Sequence, residues 1–376
     1  MSFVVLLITF GYCLILLGLA MPALKYVPNS LSRKRTNHQH CFSIVIVYRN
    51  EMTALPALLQ SIKNLNYPKD LCEWLFINDD SSDGSESLIQ KFKDENPLIQ
   101  VQLLERPKHS ASAKKDGITA AISCCKFNHI ITTDADCILP SNWLLAYDDH
   151  YQKYADALLV AGPVQLSGSG FIAAIQQLEM MALQAVTAGS FAMRQPFMSN
   201  GANLSFSKKG FELVDGYAGN THLSSGDDVF LLEKLAAEDV LQCHYLKNEN
   251  AIVTTPTKTS WREMIEQRAR WSRKGRHTKS LLNKLMGAHV LLMNLLILCI
   301  PVLVWFDLIS MKLGIIAVVI KFFTDALVLV VGNQLLPSDW AKYFFIQFFI
   351  YPVVVVAIAL RSLRDIKWHG RTIDQP

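Results

Sequence analysis

Residues 42–85 read FSIVIVYRNEMTALPALLQSIKNLNYPKDLCEWLFINDDSSDGS. Phe42 to Tyr48 is a β-rich run that breaks at the polar Arg49-Asn-Glu51, and Leu55, Leu58, Leu59 and Ile62 then recur at helical spacing. Glu73 to Ile77 repeats the strand signal and stops at Asn78-Asp-Asp-Ser-Ser-Asp-Gly-Ser85, an acidic turn that opens another helix to about Asn96. Two further strands follow, Ile99 to Leu104 and His129 to Thr133, the second ending in Thr133-Asp-Ala-Asp136. Strands alternating with helices of about 10 to 15 residues predict an α/β fold with a mostly parallel sheet and helices on both faces. In such sheets ligands sit outside the carboxyl ends of the strands. Three successive strands here end in polar or acidic groups at that edge.

Outward from this core the composition changes. Of 376 residues, 51% are hydrophobic and only 18% charged, with mean hydropathy +0.23, against about 25% charged in soluble proteins. This excludes disorder and a repeat array. The deficit falls in residues 1–24 and beyond residue 284; residues 25–284 have soluble composition and suffice for one substantial core. Phe3 to Met21 carries no charge and is long enough to cross about 30 Å of hydrocarbon. No positive charge precedes it, whereas Lys25 and Arg33-Lys-Arg35 follow. The pattern favours an uncleaved anchor over residues 1–24 with its start outside, which sets the middle domain in the cytoplasm at the cell (inner) membrane.

After the domain, Gly287 to Phe306, Leu313 to Gly332 and Ala341 to Leu360 are apolar, giving two or three spans within residues 285–360 of a multi-pass protein. Three full crossings would set the basic tail 361–376, with Arg361, Arg364, Lys367 and Arg371, outside, against the positive-inside tendency. One of the three is therefore expected to be interfacial or re-entrant. Lys321 and Asp325 lie at helical i, i+4 spacing, placed to pair or to line a polar path. Trp368-His-Gly-Arg371 reads as a basic membrane flank or, with a cytoplasmic tail, as a segment folding back toward the active site. A net charge of +4 without a long basic block argues against nucleic acid as a partner. The eight cysteines form no CxxC pair and read as reduced thiols of a cytosolic domain.

Several groups at the strand ends suit chemistry. Asp134 and Asp136, two apart after a strand, point the same way in extended geometry, and two hard oxygen ligands facing one space suit Mg²⁺ or Mn²⁺ bridged to a diphosphate. Asp79, next to its strand, is the candidate for a base or ribose, while Asp83 reads as a helix cap. Asp227 and Asp228 open an apolar-faced helix, where the macrodipole favours carboxylates; Asp228 is also the candidate base for an attacking hydroxyl. Residues 259–281 read as a basic interfacial helix on which Gln267, Arg270 and Trp271 share one face, an Arg suited to a leaving diphosphate and a Trp to an acceptor. Gly168-Ser-Gly-Phe-Ile-Ala173 mimics a dinucleotide fingerprint, but no acidic strand end follows at the required distance. It reads instead as a loop entering a helix over Phe171 to Ala188.

In order and spacing, Ile44-Val-Ile-Val-Tyr-Arg-Asn-Glu51, Asn78-Asp-Asp-Ser-Ser-Asp83, Asp134-Ala-Asp136, Gly226-Asp-Asp228 and Gln267-Arg-Ala-Arg-Trp271 resemble family 2 glycosyltransferases. The resemblance covers about residues 41–276. It implies a GT-A fold, a nucleotide-sugar donor, UDP-linked by default, a divalent metal and inversion at the anomeric carbon. Residue by residue it assigns Glu51 and Asp79 to the nucleoside, Lys114 to the donor, Asp134 and Asp136 to the metal and Asp228 to the base. Gln267, Arg270 and Trp271 match the QxxRW motif of membrane-bound synthases and ceramide-glucosyltransferase-like enzymes. Asn203, in Asn200-Gly-Ala-Asn-Leu-Ser205, and Asp227 fall on the acceptor side. Asn78 departs from a frequent Asp, and Asp227 from a frequent Glu. The function implied is transfer of a sugar to a lipid or lipid-linked acceptor. A processive polysaccharide synthase would share these motifs but needs a channel from several helices or an oligomer. A silent scaffold of an envelope-assembly complex would have no need for the intact carboxylates.

Overall fold

A computed structural model describes residues 1–25, 39–339, 341–364, 366–368 and 371–373; Arg33-Lys34-Arg35 and part of the basic tail lie outside the described residues. The elements run α1 (Ser2–Ala20), β1 (Phe42–Tyr48), α2 (Leu55–Lys63), β2 (Cys72–Asn78), α3 (Ser85–Glu95), β3 (Gln100–Glu105), α4 (Ala113–Cys124), β4 (His129–Thr132), α5 (Trp143–Lys153), β5 (Leu159–Ala161), β6 (Val164–Ser167) and α6 (Phe171–Ala192). They continue with β7 (Leu204–Ser207), α7 (Lys208–Leu213), α8 (Asp227–Asp239), β8 (Cys243–Tyr245), β9 (Val253–Pro256), α9 (Trp261–His277), α10 (Leu281–Trp305), α11 (Met311–Asn333), α12 (Ala341–Ser362), β10 (Ile366–Trp368) and β11 (Arg371–Ile373).

The chain folds as two units. The first holds a seven-stranded sheet in the order β3-β2-β1-β4-β7-β5-β8. β1 to β4 pair in parallel, and β7 alone runs against its neighbours β4 and β5. All seven residues of β2 are buried, as expected of a strand covered on both faces. Apart from Asn78 at its end, the exception to its apolar run is Glu73, which accepts from Ser43 Oγ (2.6 Å), Gln102 Nε2 (3.0 Å) and the Lys126 N–H (2.6 Å). Trp74 stacks at 6.5 Å on Trp143 of α5 in the core beneath. The register Tyr48↔Asn78 and Val45↔Thr132 brings the carboxyl ends of β1, β2 and β4 to one edge. The Asp79 N–H donates to Tyr48 O (2.9 Å) and the Thr133 N–H to Val45 O (3.3 Å), so the backbone pairing carries just past both strands.

The second unit gathers α1, α6 and the chain from Thr257 onward. The division by contact thus differs from the division by composition at residue 284: α6 and α9 go with the apolar helices. Among the described residues, five helices are long and apolar enough to cross a membrane: Ser2–Lys25, Phe171–Ala192, Leu281–Trp305, Met311–Asn333 and Ala341–Ser362. Small residues let them approach closely. A Cβ on Gly189 of α6 would meet Leu19 O of α1 at 1.6 Å, and one on Gly332 of α11 would meet Met181 O of α6 at 2.5 Å. Yet β5 and β7, before and after α6, are hydrogen-bonded neighbours. One traverse by α6 would separate them unless residues 193–203, which form no helix or strand, returned through hydrocarbon, where unpaired backbone is too costly. α6 is therefore not a simple crossing. In α11, Lys321 donates to Asp325 Oδ2 (2.5 Å), whose other oxygen accepts from Tyr12 of α1 (2.6 Å), so the i, i+4 pair ties two helices together.

Candidate active site

The carboxyl edge of the sheet is braced before any ligand arrives. Asp79, 3% exposed, accepts from Arg106 Nε at 2.5 Å and has Arg49 Nη1 3.7 Å away, while that same Nη1 donates to Asp79 O at 3.1 Å. Arg106 also reaches Asp116 of α4 (3.3 Å), whose Oδ2 takes the N–H groups of His109 and Ser110. Arg106 is itself buried, so removing any partner strands a buried charge. Sequence reasoning named Asp79 and missed Arg106 and Asp116. Arg106 directly follows β3, a strand end that no acidic cluster marks in the sequence. The loop after β1 clamps to the loop after β2. The Met52 N–H donates to Asp83 Oδ2 and the Glu51 N–H to Ser85 Oγ, both at 2.9 Å, while Asn50 Oδ1 accepts from the Ser82 N–H at 2.8 Å. Gly84 is the residue before α3; Asp83 does accept the Ser85 N–H (3.0 Å), from one position further out than a cap.

Asp134 and Asp136 differ from the extended arrangement read from spacing. They lie past β4 in a turn closed by the Cys137 N–H on Asp134 O (3.2 Å). Lys114, in the first turn of α4, places Nζ 2.6 Å from Asp134 Oδ1 and 3.1 Å from Asp227 Oδ2. Burial alone would lower the pKa of this ammonium, but Asp134, Asp227 and Asp228 together hold it well above the usual lysine value. It is a fixed cation at working pH. Asp227 and Asp228 are both buried at the start of α8, after Gly226 at φ +87°, and Asp228 Oδ1 accepts from the Val229 N–H (2.8 Å). Gly201 walls this cluster: a Cβ there would come within 2.6 Å of Asp227 Oδ2 and 3.0 Å of Lys114 Nζ. Thr132 Oγ1 of β4 donates to Gly201 O (2.9 Å), which fixes that wall. Beside Lys114, the buried Lys115 donates to Asn220 O (2.8 Å) and Leu223 O (2.9 Å), pinning the loop that leads into α8.

Asn203 sits where no acceptor reaches it. It is fully buried, its Oδ1 accepts from Trp143 Nε1 (3.0 Å) and Tyr147 Oη (2.8 Å), and its Nδ2 donates to Pro163 O and Ala251 O (both 2.8 Å). All four bonding positions of the amide are used, so its work is to hold the 200–203 loop.

In the helical unit, α9 is capped by Ser260, whose Oγ accepts the Glu263 N–H. Gln267, Arg270 and Trp271 are all half-buried. Between them stands Arg268, 4% exposed, which donates to Gln267 Oε1 and lies 4.2 Å over the Trp271 ring. Its Nε meets Glu179 of α6 at 2.5 Å, and Glu179 in turn accepts from Tyr351 of α12 (3.2 Å). Glu179 and Arg268 were not singled out from sequence. A carboxylate within an apolar helix was the available signal.

Among the described residues no cluster of three or more His, Cys, Asp or Glu forms a closed metal cage. Asp134 offers a carboxylate whose side chain is 41% exposed, at the sheet edge, which fits Mg²⁺ or Mn²⁺ held by one or two carboxylates with substrate phosphates completing the shell.

Residues 43–199 match the family model described as Glycosyl transferase family 2. Among curated proteins, the Probable glycosyltransferase YdaM of Bacillus subtilis (strain 168) is 27% identical over 94 residues, 25% of this chain and 22% of that protein, so the match spans less than a quarter of the relative. Among solved structures, the mannosyltransferase PcManGT from Pyrobaculum calidifontis, in complex with GDP-Man and Mn²⁺, superposes with TM-score 0.59 at 15% identity, covering 96% of this chain and 97% of its own. TarS 1–349 of S. aureus in complex with UDP-GlcNAc gives TM-score 0.44 at 12% identity, covering 89% and 96%. The sheet unit thus has the GT-A fold of nucleotide-sugar transferases. Over residues 43–199 the chain is similar to glycosyl transferase family 2.

Proposed function

We propose that this chain moves a sugar from a nucleoside-diphosphate donor to a lipid or lipid-linked acceptor at the cytoplasmic face of the cell membrane, with inversion at the anomeric carbon. The observation that carries the reading is the meeting of Asp134, Lys114 and Asp227 at the carboxyl edge of a GT-A sheet, with Asp228 buried next in line. Helices long and apolar enough for a membrane favour a lipid acceptor.

In this reading Glu51 and Asp79 hold the nucleoside, and the arginines on Asp79 keep its carboxylate from wandering. Asp134 and Asp136 hold Mg²⁺ or Mn²⁺, which when bound supplies charge stabilisation to the departing diphosphate. Lys114 adds a fixed positive charge beside it, and Arg270 is assigned to the same diphosphate. Asp228 accepts the proton of the acceptor hydroxyl as its oxygen attacks the anomeric carbon from the face opposite the leaving group. The new glycosidic bond forms as the bond to the diphosphate breaks. Gln267 and Trp271 are assigned to the acceptor side, held by Arg268.

Thermal unfolding of the detergent-purified chain with UDP, GDP and their sugars, with and without Mn²⁺, tests the donor assignment. GDP-mannose joins the panel because PcManGT holds it. A ligand at about 100 times its Kd stabilises by about 2.7 kcal/mol. A rise in midpoint that needs both one nucleotide and the metal is the expected result. A folded protein that none of these ligands stabilises would overturn the reading.

A further inference from the structure

One ammonium serves two carboxylates at this site, and the two differ. Asp134 lies in the turn after β4 with its side chain 41% exposed, while Asp227 begins α8 with its side chain only 11% exposed. At the start of a helix a carboxylate gains from the macrodipole, and Gly201 packs directly on Asp227 Oδ2. Asp227 is thus a closed, permanent partner for a cation, and Asp134 an open one. Asp134 and Asp227 stand on separate segments, the turn after β4 and the first residue of α8, whereas Lys114 ends a flexible four-carbon stem. Small rotations of that stem change which carboxylate the ammonium favours and leave the backbone where it is.

We infer that Lys114 is a displaceable counter-ion: it occupies Asp134 while the site is empty and gives way towards Asp227 and the diphosphate oxygens when a divalent cation is held at Asp134. The inference rests on the proposed reading of Asp134 as a metal carboxylate. The physical reason is Coulombic. A dication and an ammonium sharing one carboxylate repel each other, so metal arriving alone must compete with Lys114. Metal arriving with a nucleoside diphosphate brings new oxygens for the displaced ammonium. Metal and nucleotide therefore bind cooperatively, and Lys114 carries part of that coupling. By linkage the coupling is reciprocal. Asp227 keeps the ammonium in the site when it leaves Asp134, which gives this buried carboxylate a role distinct from that of the adjacent Asp228.

Mn²⁺ binding to the full-length purified chain, read as loss of the free-ion EPR signal with and without UDP or GDP, tests this directly. Wild type, Lys114→Met, Lys114→Gln, Lys114→Arg and Asp134→Asn are compared, with circular dichroism to select folded variants. Lys114→Met and Lys114→Gln are expected to bind Mn²⁺ alone roughly tenfold more tightly than wild type and to lose most of the enhancement by nucleotide, within the ~5–150-fold range of such couplings. Lys114→Arg, which keeps the charge, should restore the wild-type pattern. Neutral variants that bind Mn²⁺ alone no more tightly than wild type, while Asp134→Asn abolishes binding, would overturn the counter-ion role and leave the metal assignment standing. Asp134→Asn that binds Mn²⁺ and nucleotide as wild type does would overturn both.

Discussion

Asn78 closes β2 with a side chain that a carboxylate does not replace. Its Nδ2 donates to Glu86 Oε2 (3.2 Å) and Glu105 Oε1 (3.1 Å), and its Oδ1 accepts the Ser81 N–H (2.9 Å). Two glutamates therefore account for an amide where the family resemblance expects an aspartate. Asn78→Asp would set three carboxylates against one another and remove both donors. We expect a loss of about 1–3 kcal/mol, read as a lower thermal midpoint of the purified protein; an unchanged midpoint would show the two glutamates to be irrelevant. At this scale the acids at strand ends were legible, because a polar break after an apolar run marks the binding edge of a parallel sheet. Asn203 was not. Its role depends on Trp143, Tyr147, Pro163 and Ala251, residues whose convergence is created by the fold and carries no local sequence signal.

Among the elements, α6 shows where periodicity runs out. Its apolar residues and its start at Phe171 were readable, but a buried helix has similar composition whether it covers a sheet or packs among membrane helices. Gly189 and Glu179 decide the matter, through Leu19 of α1 and Arg268 of α9. The extended reading of Asp134 and Asp136 failed for a related reason: β4 stops at Thr132, and the chain turns before the second carboxylate.

Helix α5 yields a prediction of its own. His150 is buried with Nε2 unbonded and stands 5.2 Å from His244 of β8; His129 of β4, its Nδ1 likewise unbonded, lies 4.0 Å from the Tyr151 ring. Burial, then the neighbouring His244 and Lys153, bring the pKa of His150 down to about 3; burial, then His40, brings His129 down to about 4, against the opposing pull of Asp148. Above pH about 6.5 both states are neutral and these groups add no slope. As pH falls below about 6.5 the unfolded chain takes up protons that the folded chain refuses, so stability falls, by up to about 1.4 kcal/mol per pH unit for each histidine. The loss continues to about pH 4 for His129 and about pH 3 for His150. Thermal midpoints between pH 7 and 4.5 should therefore decline, and His150→Gln should flatten the decline. The same slope in the variant would contradict the buried neutral state.

For the whole molecule, hydropathy separates lipid-facing from soluble stretches, and strand–helix alternation identifies the sheet, because both signals are local and periodic. The joining of α6 and α9 to the apolar helices is a matter of long-range packing. Arg361, near the end of α12, lies 3.8 Å from Glu266 of α9, which brings the start of the basic tail back to the helix that follows the sheet. The central claim concerns the division of labour between a metal carboxylate and a base. It is tested most directly by measuring, on one preparation, donor binding and transfer of labelled sugar into the lipid extract of membranes for wild type, Asp136→Ala and Asp228→Asn. The account predicts that Asp228→Asn keeps metal-dependent donor binding and loses transfer by about 10²-fold or more, whereas Asp136→Ala loses the metal-dependent binding itself. Equal loss of donor binding in the two variants, or transfer at the wild-type rate by Asp228→Asn, would contradict it.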